Sequence, residues 1–369
     1  MTRMSAPSAM RRSVAWPLLL GLVVGSGSAS ADSVLSPKRQ VVTLAEGVYF
    51  IRHKDPFPGW TNGNTTVVIG EREVLVVDSC STAAAAREDI AQIRQWTTKP
   101  VRYLVNTHWH QDHNAGNKEY KDAFPGLAIV AHEATRQMEG DTAPNVAGQV
   151  TRQATEIRER LEGKIATGKT ADGKVLTAAE TAEAQERLGE IMGMLEQARI
   201  YVHEPPSLTL LHELSVDLGG REVQVRHGGR GNTAGDLYVY LAREKILITG
   251  DLLVRPVPYA FDGYPTEWIR TLEGLAATDA DTIVPGHGDV MRDKTYLLSV
   301  IALMKSAVAQ VDAELRRSSE ASLADVTKAV DLKSFRESMT GGDATGAGFF
   351  DLSMGTKFVE LAYHELKQR

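Results

Sequence analysis

From about residue 41 the chain runs in short apolar stretches parted by turn residues: Gly47-Val48-Tyr49-Phe50-Ile51, then Thr65-Thr66-Val67-Val68-Ile69-Gly70, then Val74-Leu75-Val76-Val77-Asp78. Their Val, Ile, Thr and Tyr content suits a pleated, packed surface, so they predict the first strands of a sheet. The Ala-rich stretch 82–96 predicts a helix, and Val101-Arg102-Tyr103-Leu104-Val105-Asn106 predicts a further strand. A second half repeats the theme, with strand patterns over 222–226, 237–241, 245–249 and 281–284 and a helix opened by Thr266-Glu267. Strands alternating with helices make an α/β arrangement.

Between the halves, 148–198 is charged, rich in Ala and Glu, and without strand pattern; Gly168-Lys169-Thr170-Ala171-Asp172-Gly173 breaks it. Thr177 with Glu180 forms a capping box for a second arm. The segment therefore predicts an inserted helical hairpin, read as a solvated packing appendage in preference to a cover over the site. Residues 294–317 are again helical, followed by a Gly-rich stretch, 340–346, and a last short helix, so that 294–369 forms a helical C-terminal extension.

The N-terminal residues change the picture. Arg11-Arg12 precede an apolar run, 14–24, and Ala29-Ser30-Ala31 offers small residues for cleavage, so 1–31 predicts a secretory signal peptide. The run is shorter than the ~20 apolar residues of a spanning helix and contains Pro17, which predicts no stable membrane anchor after cleavage. Residues 32–369 are then a single domain in the periplasm or outside the cell. Cleavage removes Arg3, Arg11 and Arg12 and takes the formal net charge from −6 to −9. An acidic surface disfavours nucleic acid as a partner and leaves a small molecule as the expected substrate. With Cys80 as the lone cysteine, no intrachain disulfide forms.

The chemistry concentrates in Thr107-His108-Trp109-His110-Gln111-Asp112-His113-Asn114. His108, His110 and Asp112 alternate after a strand and share one face while the chain stays extended; a turn at 114–116 swings His113 towards the same point. Imidazoles and carboxylates gathered at a strand end suit Zn²⁺, which in catalytic sites keeps a position open for water.

The pattern His-x-His-x-Asp-His resembles the signature of the metallo-β-lactamase-fold hydrolases. Further along, Gly229-Arg230-Gly231-Asn232-Thr233-Ala234-Gly235-Asp236, Thr249-Gly250-Asp251-Leu252-Leu253 and Val284-Pro285-Gly286-His287-Gly288 resemble that family's later motifs in order and spacing. The resemblance implies a four-layer αββα sandwich with one or two zinc ions along one edge. It implies that His108 and His110 hold the first metal, Asp112, His113 and His287 the second, and that Asp251 bridges them. Asp112 would also orient or deprotonate the attacking water. Asn232 stands where the family supplies a third histidine to the first site; an amide oxygen is a weaker zinc ligand than imidazole, so that site is expected to be weakened. His227 is read as structural, and Asp78 as a hydrogen-bond partner of the metal loop.

The implied activity is hydrolysis of a carbonyl compound (β-lactam, lactone, ester or thioester) by zinc-activated hydroxide. The alternative is a non-catalytic periplasmic zinc- or partner-binding protein with a degenerate first site. Phosphodiester hydrolysis is disfavoured by the acidic balance, and a diiron role by Gln111, where such relatives carry Glu. Phe57, Trp60, Trp109 and Tyr259 are candidate cleft residues, with Arg255 and Tyr264 better placed to touch substrate. His132 is read as a helix-start residue, and His53, His203 and His212 as lacking companions.

Overall fold

A computed structural model describes residues 39–53, 61–170 and 172–368. The expected signal peptide and the candidate cleft residues Phe57 and Trp60 lie outside the described residues.

Two sheets face each other. The first holds β1 (Arg39–Ala45), β2 (Val48–His53), β3 (Thr65–Ile69), β4 (Val74–Val77), β5 (Val101–Val105), β6 (Ala128–His132) and β7 (Leu208–Leu210), in sequence order. Pairing is antiparallel from β1 to β4 and parallel from β4 to β7. The second holds β8 (Glu213–Asp217), β9 (Glu222–Arg226), β10 (Tyr238–Leu241), β11 (Ile246–Ile248) and β12 (Thr282–Val284), in the order β12-β11-β10-β9-β8. The last pair, β11 with β12, is parallel.

Side-chain alternation makes the layers. On β4 all four residues are buried, because Leu75 and Val77 face the second sheet while Val74 and Val76 face the outer helices. A strand covered on both faces reads as a continuous apolar run, which is why Val-Leu-Val-Val carries no polar position. On the second sheet Val239 and Leu241 turn inward, and Tyr240 turns out to the opposite helical layer. The inner layer joins Val48, Phe50, Val68, Leu75, Val77, Val105 and Val130 to Val216, Val223, Val225, Val239 and Ile248. Each fully buried side chain of this kind contributes about 1.5–3 kcal/mol.

Helix α1 (Ala83–Trp96) covers the outer face of the first sheet with Ile90 and Ile93 and is capped by the Thr82 hydroxyl, which accepts from the Ala85 amide. Two short helices follow β5, α2 (Gln111–Asn114) and α3 (Asn117–Ala123). Helix α6 (Pro265–Ala277) and helix α7 (Thr295–Arg317) cover the second sheet through Trp268, Leu272, Leu297 and Met304. Among the described residues α7 is the one helix long and apolar enough to cross a membrane, and it buries Leu297, Val300, Leu303, Met304 and Ala307 in this layer as a core helix does. The architecture is the αββα sandwich.

The inserted hairpin is α4 (Glu133–Thr167) and α5 (Ala178–Ile200). Its first arm starts directly at the end of β6, earlier than the 148–198 segment suggested. The His132 ring caps it by accepting from the Ala134 amide, while Gly168 ends it in the left-handed region that glycine tolerates. At the second arm the Thr177 hydroxyl accepts from the Glu180 amide and the Glu180 carboxylate from the Thr177 amide. Ala154, Leu161, Ala184, Ile191 and Met194 form a small apolar core between the arms.

The C-terminal extension continues from α7 into α8 (Leu323–Ala329), α9 (Lys333–Thr340), α10 (Ala344–Phe350), a π-helical segment (Asp351–Phe358) and α11 (Val359–Lys367). Phe350, Met354 and Phe358 seat it in the same core as α6 and α7.

Candidate metal centre

The loops leaving β4, β5, β11 and β12 meet at one edge of the sandwich. They bring together two groups: His108, His110 and Asp251, and Asp112, His113 and His287, each with its ligand-type atoms within 4.8 Å of one another. The extended reading of the metal loop needs one correction. The chain turns helical at Gln111, with His110 as the N-cap of α2, so Asp112 and His113 reach the site from a helical turn.

The second group is a cage. His113 Nε2 lies 3.1 Å from His287 Nε2, 3.3 Å from Asp251 Oδ1 and 3.7 Å from Asp112 Oδ2. His287 Nε2 lies 3.1 Å from Asp112 Oδ2 and 3.4 Å from Asp251 Oδ1. Zinc bonds of about 2.0–2.2 Å in a tetrahedron set neighbouring donors about 3.3–3.6 Å apart, so four nitrogen and oxygen donors stand near the spacing the ion needs. The backbone leaves no spare room around them. A Cβ on Gly286 would stand 1.9 Å from Asp251 Oδ1, and one on Gly63 2.4 Å from the Asp112 carbonyl oxygen.

The first group is looser: His108 Nε2 lies 3.7 Å from Asp251 Oδ2. Buried polar atoms nearly always have partners, yet His108 Nε2 and both amide atoms of Asn232 have none among the described residues. The lone pairs among them, on His108 Nε2 and Asn232 Oδ1, are of the kind a cation takes up. Asn232 is held by a tight turn in which the Asp236 carboxylate accepts from the Thr233 amide at 2.8 Å and the Thr233 hydroxyl at 2.9 Å. The donors of both groups thus fit a divalent ion.

Hydrogen bonds behind the donors select which nitrogen each ring presents. His113 Nδ1 donates to Asp78 Oδ2 at 2.8 Å, which leaves Nε2 for the cage. The Thr107 hydroxyl donates to the same Asp78 oxygen at 2.8 Å and therefore accepts from His108 Nδ1 at 3.0 Å. Asp78 thus orients both rings, one directly and one through Thr107. Its own backbone sits at φ 59°, a left-handed conformation that Asp and Asn tolerate better than most residues. Asp78→Asn keeps that conformation and removes the charge. It is expected to weaken metal binding about 10–100-fold, read as the metal Kd by competition with a chelator.

The electrostatics suit a cation. Burial disfavours charge on every group in the cage, yet His287 and His113 beside Asp251 hold that carboxyl well below the usual range, and His113 and His287 do the same for Asp112. In return, against burial, the carboxylates push His287 up to about 10 and raise His113 well above an ordinary imidazole. His108 behaves oppositely: burial, then the charges of His113 and His110, hold it well below the usual value.

Several residues found here have no signal in the sequence. Asp262 accepts from His110 Nε2 at 3.3 Å, which leaves Nδ1 to face a metal. Thr61 donates to Asp112 Oδ2 at 2.9 Å. Glu139 of α4 accepts from Asn114 Nδ2 at 3.2 Å and ties the hairpin to the metal loop; burial pushes its carboxyl up to about 8. Other candidates are engaged elsewhere. His227 Nδ1 donates to the Asp236 carbonyl, and its ring stacks on His132 at 4.2 Å, as a structural residue does. His53 has a companion after all, bonding Asp89 at 3.0 Å in the core. The Arg255 guanidinium lies over Tyr296, and Tyr264 lies under Arg230.

The sequence profile of the metallo-beta-lactamase superfamily matches residues 58–287. A linear primary-alkylsulfatase from a Pseudomonas species is 23% identical over 253 residues, covering 64% of this chain and 44% of that protein. A type 2 metallo-beta-lactamase from a Bacillus species is 28% identical over 116 residues, covering 30% of this chain and 45% of that protein. The chain therefore spans less than half the length of these relatives. The metallo-beta-lactamase from Pontibacter korlensis superposes with a TM-score of 0.51 at 19% identity, covering 73% of this chain and 99% of that one, which speaks for the fold. Members of the family bind divalent metals through His/Asp clusters, and two such clusters stand here at the edge between the sheets. By profile, fold and donor set, the chain belongs to the metallo-beta-lactamase superfamily of metallo-hydrolases.

Proposed function

We propose that the protein is an exported zinc-dependent hydrolase of a carbonyl compound: a β-lactam, lactone, ester or thioester. The observation that carries this reading is the cage of His113, His287, Asp112 and Asp251, with donors 3.1–3.7 Å apart. Zinc suits this mixture of imidazole and carboxylate, and when bound it lowers the pKa of its water from about 15.7 to about 7. The chain's own residues do the rest. Asp112, oriented by Thr61, offers a carboxylate at the cage rim to hold a water or take its proton. Asp78 keeps the lone pairs of His108 and His113 directed inward. Export rests on the composition of residues 1–31, with Arg11-Arg12, the apolar run and Ala29-Ser30-Ala31.

A second substrate class has its own support. The relative whose match covers 64% of this chain carries the name of an alkylsulfatase, so a sulfate ester stands beside the carbonyl compounds. The initial rate of chromogenic cephalosporin hydrolysis by the zinc-loaded protein, with a chelator-treated control, tests the β-lactam case. A chelator-sensitive kcat/KM of about 10⁴ M⁻¹s⁻¹ or more is the expected result for a β-lactamase. Its absence, with chelator-sensitive release of sulfate from a primary alkyl sulfate, moves the assignment to the sulfate ester. Zinc binding without turnover of lactam, lactone, ester, thioester or sulfate would replace the hydrolase reading with a zinc-binding role.

Asn232 sets the metal count. After dialysis against limiting zinc, the wild type is expected to retain about one ion per chain, in the four-donor cage, and Asn232→His about two. Elemental analysis reads the difference; two ions in both proteins would show that the amide does not weaken the first site.

A further inference from the structure

A line of aromatic rings leads away from the metal cage. Tyr259 lies 4.9 Å from the His287 imidazole, Phe349 lies 4.8 Å from Tyr259 at 65°, and Phe261 lies 5.9 Å from Phe349 at 68°. Edge-to-face pairs at these distances are favourable, so the three rings support one another as a surface. Tyr259 and Phe261 follow the Asp251 turn, but Phe349 comes from α10, beyond the 58–287 stretch that matches the family.

Phe349 packs against the core from one side, but Phe261 is left largely outside it. Phe350 and Ala347 are buried and anchor α10, whereas the neighbouring Phe349 is half-buried and Phe261 is 39% exposed. Single exposed apolar residues are ordinary, but a continuous aromatic strip that starts against a metal-ligand ring is not. The strip is also held in place. Ser353, fully buried, donates to the Pro258 carbonyl at 2.5 Å and accepts from the Ala260 amide at 2.9 Å, clamping the segment that carries Tyr259 to the extension. At the second attachment the Glu365 carboxylate of α11 accepts from the Thr266 amide at 3.1 Å.

We propose that Tyr259, Phe261 and Phe349 form an apolar wall of the reaction cleft that binds an alkyl or aryl substituent of the substrate, so that the C-terminal extension helps to set specificity. The proposal rests on the metal cage being the reactive centre. A substituent laid along the three rings from His287 outward leaves the scissile group beside the cage. Alkyl chains gain affinity with each methylene that leaves water for this surface.

Binding of unreactive n-alkyl carboxylates, butanoate to decanoate, to the zinc-loaded protein by calorimetry tests the wall without requiring turnover. In the wild type the Kd is expected to fall roughly two- to fourfold per methylene over the first few added carbons. Phe349→Ser and Phe261→Ala should each flatten that dependence, and Phe349→Leu should keep most of it. Phe261 is exposed, so its replacement leaves the fold intact and decides the matter if Phe349→Ser does not fold. A Kd independent of chain length, no binding of decanoate, or an unchanged slope in folded Phe261→Ala and Phe349→Ser would overturn the proposal. Failure of the hydrolase reading is seen separately, as absence of chelator-sensitive turnover in a protein whose alkyl-chain dependence is intact.

Discussion

Asp251→Ala is expected to empty both halves of the metal centre. One carboxylate oxygen stands 3.3 Å from His113 Nε2 and 3.4 Å from His287 Nε2, and the other 3.7 Å from His108 Nε2. Removing it takes a donor from each group and also the negative charge that most strongly raises both His113 and His287. Elemental analysis of dialysed protein should find well below one zinc per chain. Turnover should fall about 10³-fold or more, corresponding to about 4 kcal/mol of lost transition-state stabilisation. Asp251→Asn keeps an oxygen and loses the charge, and is expected to fall between the two. Wild-type occupancy in Asp251→Ala would remove this residue from the centre.

The second large effect is a proton count. Without metal, His287 holds its proton up to about pH 10 and His113 is raised in the same direction, because burial's penalty is exceeded by Asp251 and Asp112. A ring must be neutral at the nitrogen that binds zinc, so zinc uptake at neutral pH should expel at least one proton per cage, that of His287. The apparent binding constant should then rise about 10-fold per pH unit between roughly pH 7 and 9, with the slope easing as His287 deprotonates unaided. Titration calorimetry in buffers of different ionisation enthalpy reads the number directly, and zero protons would contradict the raised rings. The sign for metal-free stability is opposite. The folded-state value of His287 lies above the unfolded value of about 6.5, so its contribution is complete below about pH 6.5 and is lost as pH rises through about 10.

Much of what the sequence disclosed follows from distance along the chain, while Asp251 and His287, remote from the metal loop, were reached through the family resemblance. His108, His110, Asp112 and His113 were legible because they sit within one loop, and Asp78 because it ends a recognisable strand. Most strands were legible because a doubly covered strand such as β4 has to be apolar throughout; the edge strands β1 and β8 and the short β7, which are largely part-exposed, were not. The start of the hairpin was not, since Gly140, Pro144 and Gly148 weaken the helical pattern of α4 although the helix runs through all three. Asp262, Thr61 and Phe349 were illegible for a different reason. Each meets the site across a long loop of chain, as Asp262 does with His110 at a separation of 152 residues, and no local pattern encodes such a meeting. The ring–cation contacts of Arg255 and Tyr264 were illegible on the same account, because they are set by tertiary packing.

The cage has a kinetic consequence. Its two histidines are 174 residues apart, one in α2 after β5 of the first sheet and one after β12 of the second, so their nitrogens come to 3.1 Å only after both halves of the chain have folded and docked. Contacts of such long range form late, because the entropy of closing the intervening loop must be overcome before they contribute. A metal that needs both histidines is therefore expected to bind after the two halves dock and to slow unfolding more than it speeds folding.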